Sequence, residues 1–270
     1  MTIDSDARYR TLAEFVDALQ AEGRYTFDRD EASAALQTSS LMLKKAVMRL
    51  AIKSRIVVPK RGFYVIVPIE YRSAGAPPPS WFIDDLMRHL GKSYYVGVLS
   101  AAGLHGAAHE QPQEFQVVTR AAARPVVAGR ARIRFLGKRR HDQTPTVELK
   151  TETGTMRVST PEGTAIDLVR YATSAGGLGN VATVLAELAE RIDAALLGEA
   201  VRAEGGLVHV QRLGYLLDLV GAGERAQELA RLVAEGCPRN TPLRPDRPTR
   251  GCPVDRRWRV VVNEQVEVDQ

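Results

Sequence analysis

Three consecutive prolines, Pro77, Pro78 and Pro79, constrain this 270-residue chain more than any other feature. Each fixes its own φ and lacks a backbone N–H, so the run cannot sit inside a helix or a central strand. Such a run stiffens the chain into an extended spacer. Residues 71–80 therefore read as a Pro-rich linker between a domain at 1–70 and a larger one at 81–270. The length suits two domains of ordinary size.

Before the prolines, Leu12, Phe15, Val16 and Leu19 recur at helical spacing, and Gly23 ends that helix. A second short helix fits 28–36, with acidic residues in its first turn, where the helix dipole favours them. Thr38 is the expected N-cap of a third helix reaching about Ser54. IVVP and FYVIVP then read as two short strands around the turn residues KRG. Helix, helix, helix, strand, turn, strand is the order of a winged helix-turn-helix. The expected fold class is α+β: an N-terminal winged helix-turn-helix, then a larger mixed α+β domain.

The chemistry of 38–68 is lopsided, with seven Lys and Arg and no Asp or Glu. Leu43, Ala46, Val47 and Leu50 form one buried stripe of the third helix. Ser39, Ser40, Met42, Lys44, Lys45, Arg49 and Lys53 fall on its other faces. Lys60 and Arg61 stand at the turn between the strands, and Gly62 lets that turn be tight. Arg can fork onto guanine N7 and O6, Lys suits phosphate, and hydroxyls at a helix start bond either. In a winged helix the third helix enters the major groove and the wing meets the backbone. These residues are the expected contacts to double-stranded DNA. A solvated basic face and a protein-docking module are the competing readings.

After the prolines, helices are expected at 80–90, capped by Ser80, and at 93–108. Strands dominate 115–149, and MRVS is another. A helix opens at Thr160 as N-cap, with Pro161 at its first position and Glu162 in its first turn. Further helices fit 181–197, 208–220 and 225–234, and a last strand pair fits 256–268.

A second acid-free run, 115–141, carries eight Lys and Arg. Arg130, Arg132 and Arg134 share one strand face, while Ala131, Ile133 and Phe135 share the other. With Lys138, Arg139 and Arg140 they form a second basic patch, either an anion-binding surface or the wet side of an ordinary amphipathic strand. Asp142, Glu148 and Lys150 have the spacing style of metal-dependent nucleases. An acid-x-Lys triplet is common in strands, however, and here makes a simple charge pair. His105 and His109 lack the acid of a zinc-protease motif and read as structural or solvent-facing. Cys237 and Cys252, without a nearby histidine, read as reduced thiols rather than a zinc site. No cofactor or metal is expected. A net charge of +5 leans toward an anionic partner. With no signal peptide and no spanning segment, a cytoplasmic protein is expected.

Several motifs carry a resemblance when taken in order. They are RGFYVIVP (61–68), YYVGVLSAAGLHG (94–106), QPQEFQVVT (111–119), VSTPEGTAIDLV (158–169), QRLGYLLDLVG (211–221) and RWRVVVN (257–263). Together they resemble the AbiEi family of antitoxins, the regulatory members of abortive-infection (type IV) toxin–antitoxin pairs. Gly163 departs from the family pattern, which more often has Arg after STPE. The resemblance implies an N-terminal winged helix and a C-terminal antitoxin domain. It implies binding to inverted repeats upstream of the chain's own operon, repression of that operon, and a nucleotidyltransferase-like toxin opposed without a stable complex. The expected function is thus a non-enzymatic antitoxin and transcriptional autorepressor. A direct toxin-binding protein with incidental DNA affinity and a metal-dependent nuclease are the rivals.

Overall fold

The computed structural model describes residues 9–107 and 113–267. Its first elements are α1 (Leu12–Ala21), β1 (Thr26–Asp28), α2 (Arg29–Leu36), α3 (Ser40–Ile52), β2 (Ile56–Lys60), β3 (Phe63–Ile66) and α4 (Ile83–His89). The middle holds β4 (Tyr95–Val96), α5 (Val98–Leu104), β5 (Phe115–Thr119), β6 (Ala123–Ala128), β7 (Ala131–Gly137), β8 (Thr146–Thr151) and β9 (Gly154–Ser159). Then follow α6 (Pro161–Arg170), α7 (Leu178–Leu188), α8 (Ala194–Glu204), α9 (Leu207–Leu219) and α10 (Gln227–Gly236). Short strands β10 (Thr241–Pro242), β11 (Val254–Asp255) and β12 (Val260–Val261) come last. The chain is mixed α+β and divides into two compact units. The first runs to Tyr94 and takes in Ala122–Phe135 and Glu148–Met156. The second holds Tyr95–Ala121, Leu136–Val147 and the chain from Arg157 onward. The expected linker at 71–80 lies inside the first unit, where Ala76 and Pro77 are buried.

In the first unit, β1, β3 and β2 form an antiparallel sheet in that order, with Thr26 opposite Val65 and Val57 opposite Val65 on the other side. Strand β1 has no sequence signal of its own, because three residues are too few to show alternation. Helices α1, α2 and α3 are each capped by a side-chain oxygen: Thr11 accepts from Glu14 N, Asp28 from Glu31 N and Ser39 from Met42 N. The cap of α3 is thus Ser39 rather than Thr38. Gln37 takes a left-handed conformation (φ 46°) and the Thr38 amide still bonds Ser33 O, so the helix opens one residue later. The core joins Leu12, Phe15, Val16 and Leu19 to Leu43, Val47 and Leu50, with Phe27 stacked on Tyr64 at 5.0 Å.

The β6–β7 hairpin belongs to this unit. Its turn residue Gly129 (φ +55°) lies against the backbone of Ala74 and Gly75, so close that a Cβ would stand 2.3 Å from Ala74 O. Arg130 N donates to the same carbonyl at 2.8 Å. Helix α4 begins at Ile83 without a side-chain cap, after a 3-10 turn at Pro79–Trp81, so Ser80 does not cap it.

In the second unit, β4 pairs antiparallel with β5 and parallel with β9, where Val96 meets Val158. The helix expected at 93–108 is a strand and then a shorter helix. Gly97 stands at the break in extended conformation, where a Cβ would come within 2.9 Å of Val118 Cγ2. Helix α6 starts as the sequence predicts, with Thr160 Oγ1 accepting from Gly163 N at 3.3 Å. Gly163 itself has no room for a side chain: its Cβ would be 2.9 Å from Thr144 Cγ2 and 3.2 Å from Pro145 O. The helix expected at 181–197 is two, α7 and α8. Asp193 starts the second by accepting from Ala195 N and Leu196 N.

The expected last strand pair is a three-stranded patch ordered β10, β12, β11. Beside it Trp258 is fully buried and packs face-on against Gly214 of α9, where a Cβ would fall 2.1 Å from the ring. Its indole donates to Asp218 Oδ2 at 2.6 Å. Among the described residues no helix is long and apolar enough to cross a membrane.

Candidate nucleic-acid interface and a buried charged centre

Helix α3 buries Leu43, Val47 and Leu50 and turns its remaining surface to solvent. Ser39, Ser40, Met42, Lys44, Lys45, Arg49 and Lys53 are all exposed. Lys60 is half-buried at the end of β2, and Arg61 is exposed in the turn to β3. Gly62 takes φ +83° there. The Arg61 carbonyl faces His89 Nε2 of α4 at 3.3 Å, which braces the turn. Three arginines of this unit are neutralised: Arg24 pairs with Glu31, Arg55 with Asp17, and Arg88 with Asp84 and Asp85. Among the described residues, Lys44, Lys45, Arg49, Lys53, Lys60 and Arg61 make no ion pair.

The same face carries apolar side chains. Leu41, Met48 and Ile52 are 62%, 59% and 76% exposed. With Lys45 they follow the 3-4 spacing of a single stripe. Only Met42 among the exposed apolar residues was legible as a surface candidate. The others look like core by composition, and only the placement of the buried stripe shows that they point outward.

The second basic run does not stay together. Arg130, Arg132 and Arg134 belong to the first unit, with Ile133 and Phe135 buried on the opposite strand face, as the alternation predicts. Arg139 and Arg140 belong to the second unit and are exposed. Lys138 corrects the expectation of a surface cation: it is 4% exposed. Strand β7 ends at Gly137, so the alternation no longer places the next side chain, and two carboxylates draw it inward.

Lys138 Nζ donates to Asp167 Oδ1 at 2.8 Å, Glu204 Oε1 at 2.6 Å and Thr144 Oγ1 at 2.7 Å, with Tyr95 OH at 3.2 Å. Tyr95 OH donates to Asp167 Oδ2 at 2.7 Å, and Arg170 Nη2 to Glu204 Oε2 at 3.3 Å. Two cations and two carboxylates balance inside the second unit. Burial, then the neighbouring Glu204, raises the Asp167 carboxyl, while Lys138 opposes the rise. Burial and the Asp167 charge push the Tyr95 phenol upward, so it stays a proton donor. The centre is closed, and its chemistry is that of an internal brace. Sequence reasoning missed it because its members are scattered from 95 to 204 with no shared motif.

The Asp142, Glu148 and Lys150 set is not assembled within one unit: Asp142 lies in the second, Glu148 and Lys150 in the first. Among the described residues no three His, Cys, Asp or Glu side chains cluster as metal ligands. His105 Nε2 faces Ser159 O at 2.7 Å, and His109 lies outside the described residues. Cys237 and Cys252 are free thiols.

Residues 95–219 match the family model described as AbiEi antitoxin C-terminal domain. That segment contains every member of the buried centre. The chain is also similar in fold to the crystal structure of RV2827C protein from Mycobacterium tuberculosis. The TM-score is 0.67 at 15% identity, covering 96% of this chain and 94% of that one. No curated protein matches the chain.

Proposed function

Because residues 95–219 belong to the AbiEi antitoxin family, we propose that this protein is the antitoxin of a toxin–antitoxin pair and represses its own operon by binding the operator. The observation that carries the DNA half is the set of six cations on α3 and the β2–β3 turn that make no ion pair among the described residues, whereas Arg24, Arg55 and Arg88 of the same unit are paired. Cations without internal partners gain most from phosphate, since each contact releases condensed counterions. In this reading residues 1–70 form a winged helix-turn-helix. Helix α3 enters the major groove, Ser39 and Ser40 meet phosphate at its start, and Lys60 and Arg61 rest on the backbone. Arg130, Arg132 and Arg134 add a further anionic contact. The chain acts by occupancy, not catalysis, and the second unit carries the antitoxin role against a nucleotidyltransferase-like toxin.

The test is binding to the DNA just upstream of the chain's own gene, against scrambled DNA of equal length, across a salt series. Specific sites typically bind 10³-fold or more tighter than non-specific DNA. A preference of that size supports the repressor. Equal, salt-labile binding to both sinks it.

One observation favours a second reading. Leu41, Met48 and Ile52 form an apolar stripe on α3 of the kind that docks on a protein. The toxin would then bind this helix directly. Co-purification with the neighbouring gene product, lost in Ile52→Asp, is the result that would favour it.

A further inference from the structure

The second unit holds a cleft of about 470 Å³ between the end of α6, the start of α7 and the chain around β10. Arg170, Arg212 and Arg244 line it, with Asp246 as the acid among the lining residues. The three guanidiniums are not equally engaged. Arg244 is held by Asp246 and Glu264. Arg170 reaches Glu204 through Nη2, while its buried Nε has no hydrogen bond and lies 4.0 Å from Asp167 Oδ1. Arg212 gives Nε to Pro242 O at 2.9 Å and makes no ion pair among the described residues. Arg212 is half-buried, and burial lowers its pKa, so it is a partly desolvated cation bonded through Nε.

Helix α7 opens on the same cleft. Its start is Gly176 (φ +83°) and Gly177 (φ +97°), and no side chain caps it or places an acid in its first turn. The first amides of a helix have no intrahelical partner and carry the positive end of its dipole. Two glycines let a ligand approach that backbone closely. An uncapped eleven-residue helix, a half-buried arginine without an ion pair and a half-satisfied one thus converge on one cavity. Val169, Leu178 and Leu243 supply apolar wall, beside the hydroxyl of Thr173. The volume exceeds what a bare phosphate fills and lies in the range of small-molecule sites.

We propose that this cleft binds a small molecule bearing a phosphate or diphosphate group, with the anion seated between Arg212, Arg170 and the start of α7. The organic part would lie against Leu178 and Leu243. This site is independent of the DNA reading, since none of its residues lies on α3 or the β2–β3 turn.

Isothermal titration of the full-length protein with inorganic pyrophosphate and with a nucleoside diphosphate tests it. The expected result is saturable, mutually competitive binding, weakened about tenfold or more by Arg212→Gln, since one charge-assisted hydrogen bond is worth that much. Arg212→Lys keeps the charge and should fall between the two. Arg139→Gln, an exposed arginine of the same unit outside the cleft, should change nothing. Tighter binding of the nucleoside diphosphate would identify a phosphate ester as the occupant; equal binding would identify the free anion. No saturable binding of either probe at millimolar concentration overturns the proposal. So does binding that survives Arg212→Gln, or that is lost in a Lys45→Ala, Arg49→Ala double variant.

Discussion

Lys138 Nζ stands 2.6 Å from Glu204 Oε1, a carboxylate 66 positions further along the chain, and both side chains are closed to solvent. A buried ion pair is weak evidence for net stability, because desolvation offsets much of the attraction. Removing one partner is different. Lys138→Met leaves Asp167 and Glu204 facing each other with Arg170 alone, so denaturant unfolding should show a loss of about 3–5 kcal/mol. A loss below about 1 kcal/mol would mean that the pocket relaxes or hydrates.

The proposed DNA face makes a graded prediction. Changing Lys44, Lys45 and Arg49 to Ala should flatten the salt dependence of binding, each lost phosphate contact lowering the log–log slope by ~0.9. Fluorescence anisotropy on the upstream DNA measures it. An unchanged slope would remove α3 from the interface.

His209 predicts a pH dependence. Burial, with Arg170 and Arg212 nearby, lowers its pKa from 6.5 to about 4. Between those values the unfolded chain takes a proton that the folded chain refuses. The stability linked to this residue is therefore complete above pH 6.5 and is lost as pH falls toward 4, with a slope of up to ~1.4 kcal/mol per pH unit. Across that window the wild type should lose melting temperature relative to His209→Leu as pH falls. Parallel curves would show that other groups govern acid sensitivity.

Gly129 predicts a backbone clash. An alanine there would need φ +55° and would press its Cβ to 2.5 Å from Gly75 C. The obstacle is main chain and cannot swing away, so Gly129→Ala should cost ~1–3 kcal/mol or more. Faster proteolysis within 122–135 would report the same event, while a neutral melting temperature would show that the hairpin can slide.

The first unit was legible where periodicity was long. The stripe through Leu43, Val47 and Leu50 placed α3, and the alternation through Arg132, Ile133 and Arg134 placed β7. The start of α6 was legible because Thr160 and Pro161 are local signals. Short elements were not: β1 has three residues, and β4 is two residues read as helix because Tyr94–Val98 is apolar under either period. The expected linker at 71–80 rests on a signal with a related limit. Prolines exclude a helix but do not keep a segment in solvent, and Ala76 and Pro77 are buried. The centre around Lys138 was invisible because it depends on tertiary convergence alone, and a lysine in an acid-free run looks like surface until the fold brings its carboxylates to it.

The ring of Trp258 against Gly214 has a practical bearing on where this molecule can be cut. The family match stops at 219, yet the indole that fills the side of α9 arrives from beyond it, tethered to Asp218. A fragment ending at that border would present a vacant aromatic-sized slot in place of an interior. The tail is a keystone, and a fragment that keeps this interior filled must reach past 258.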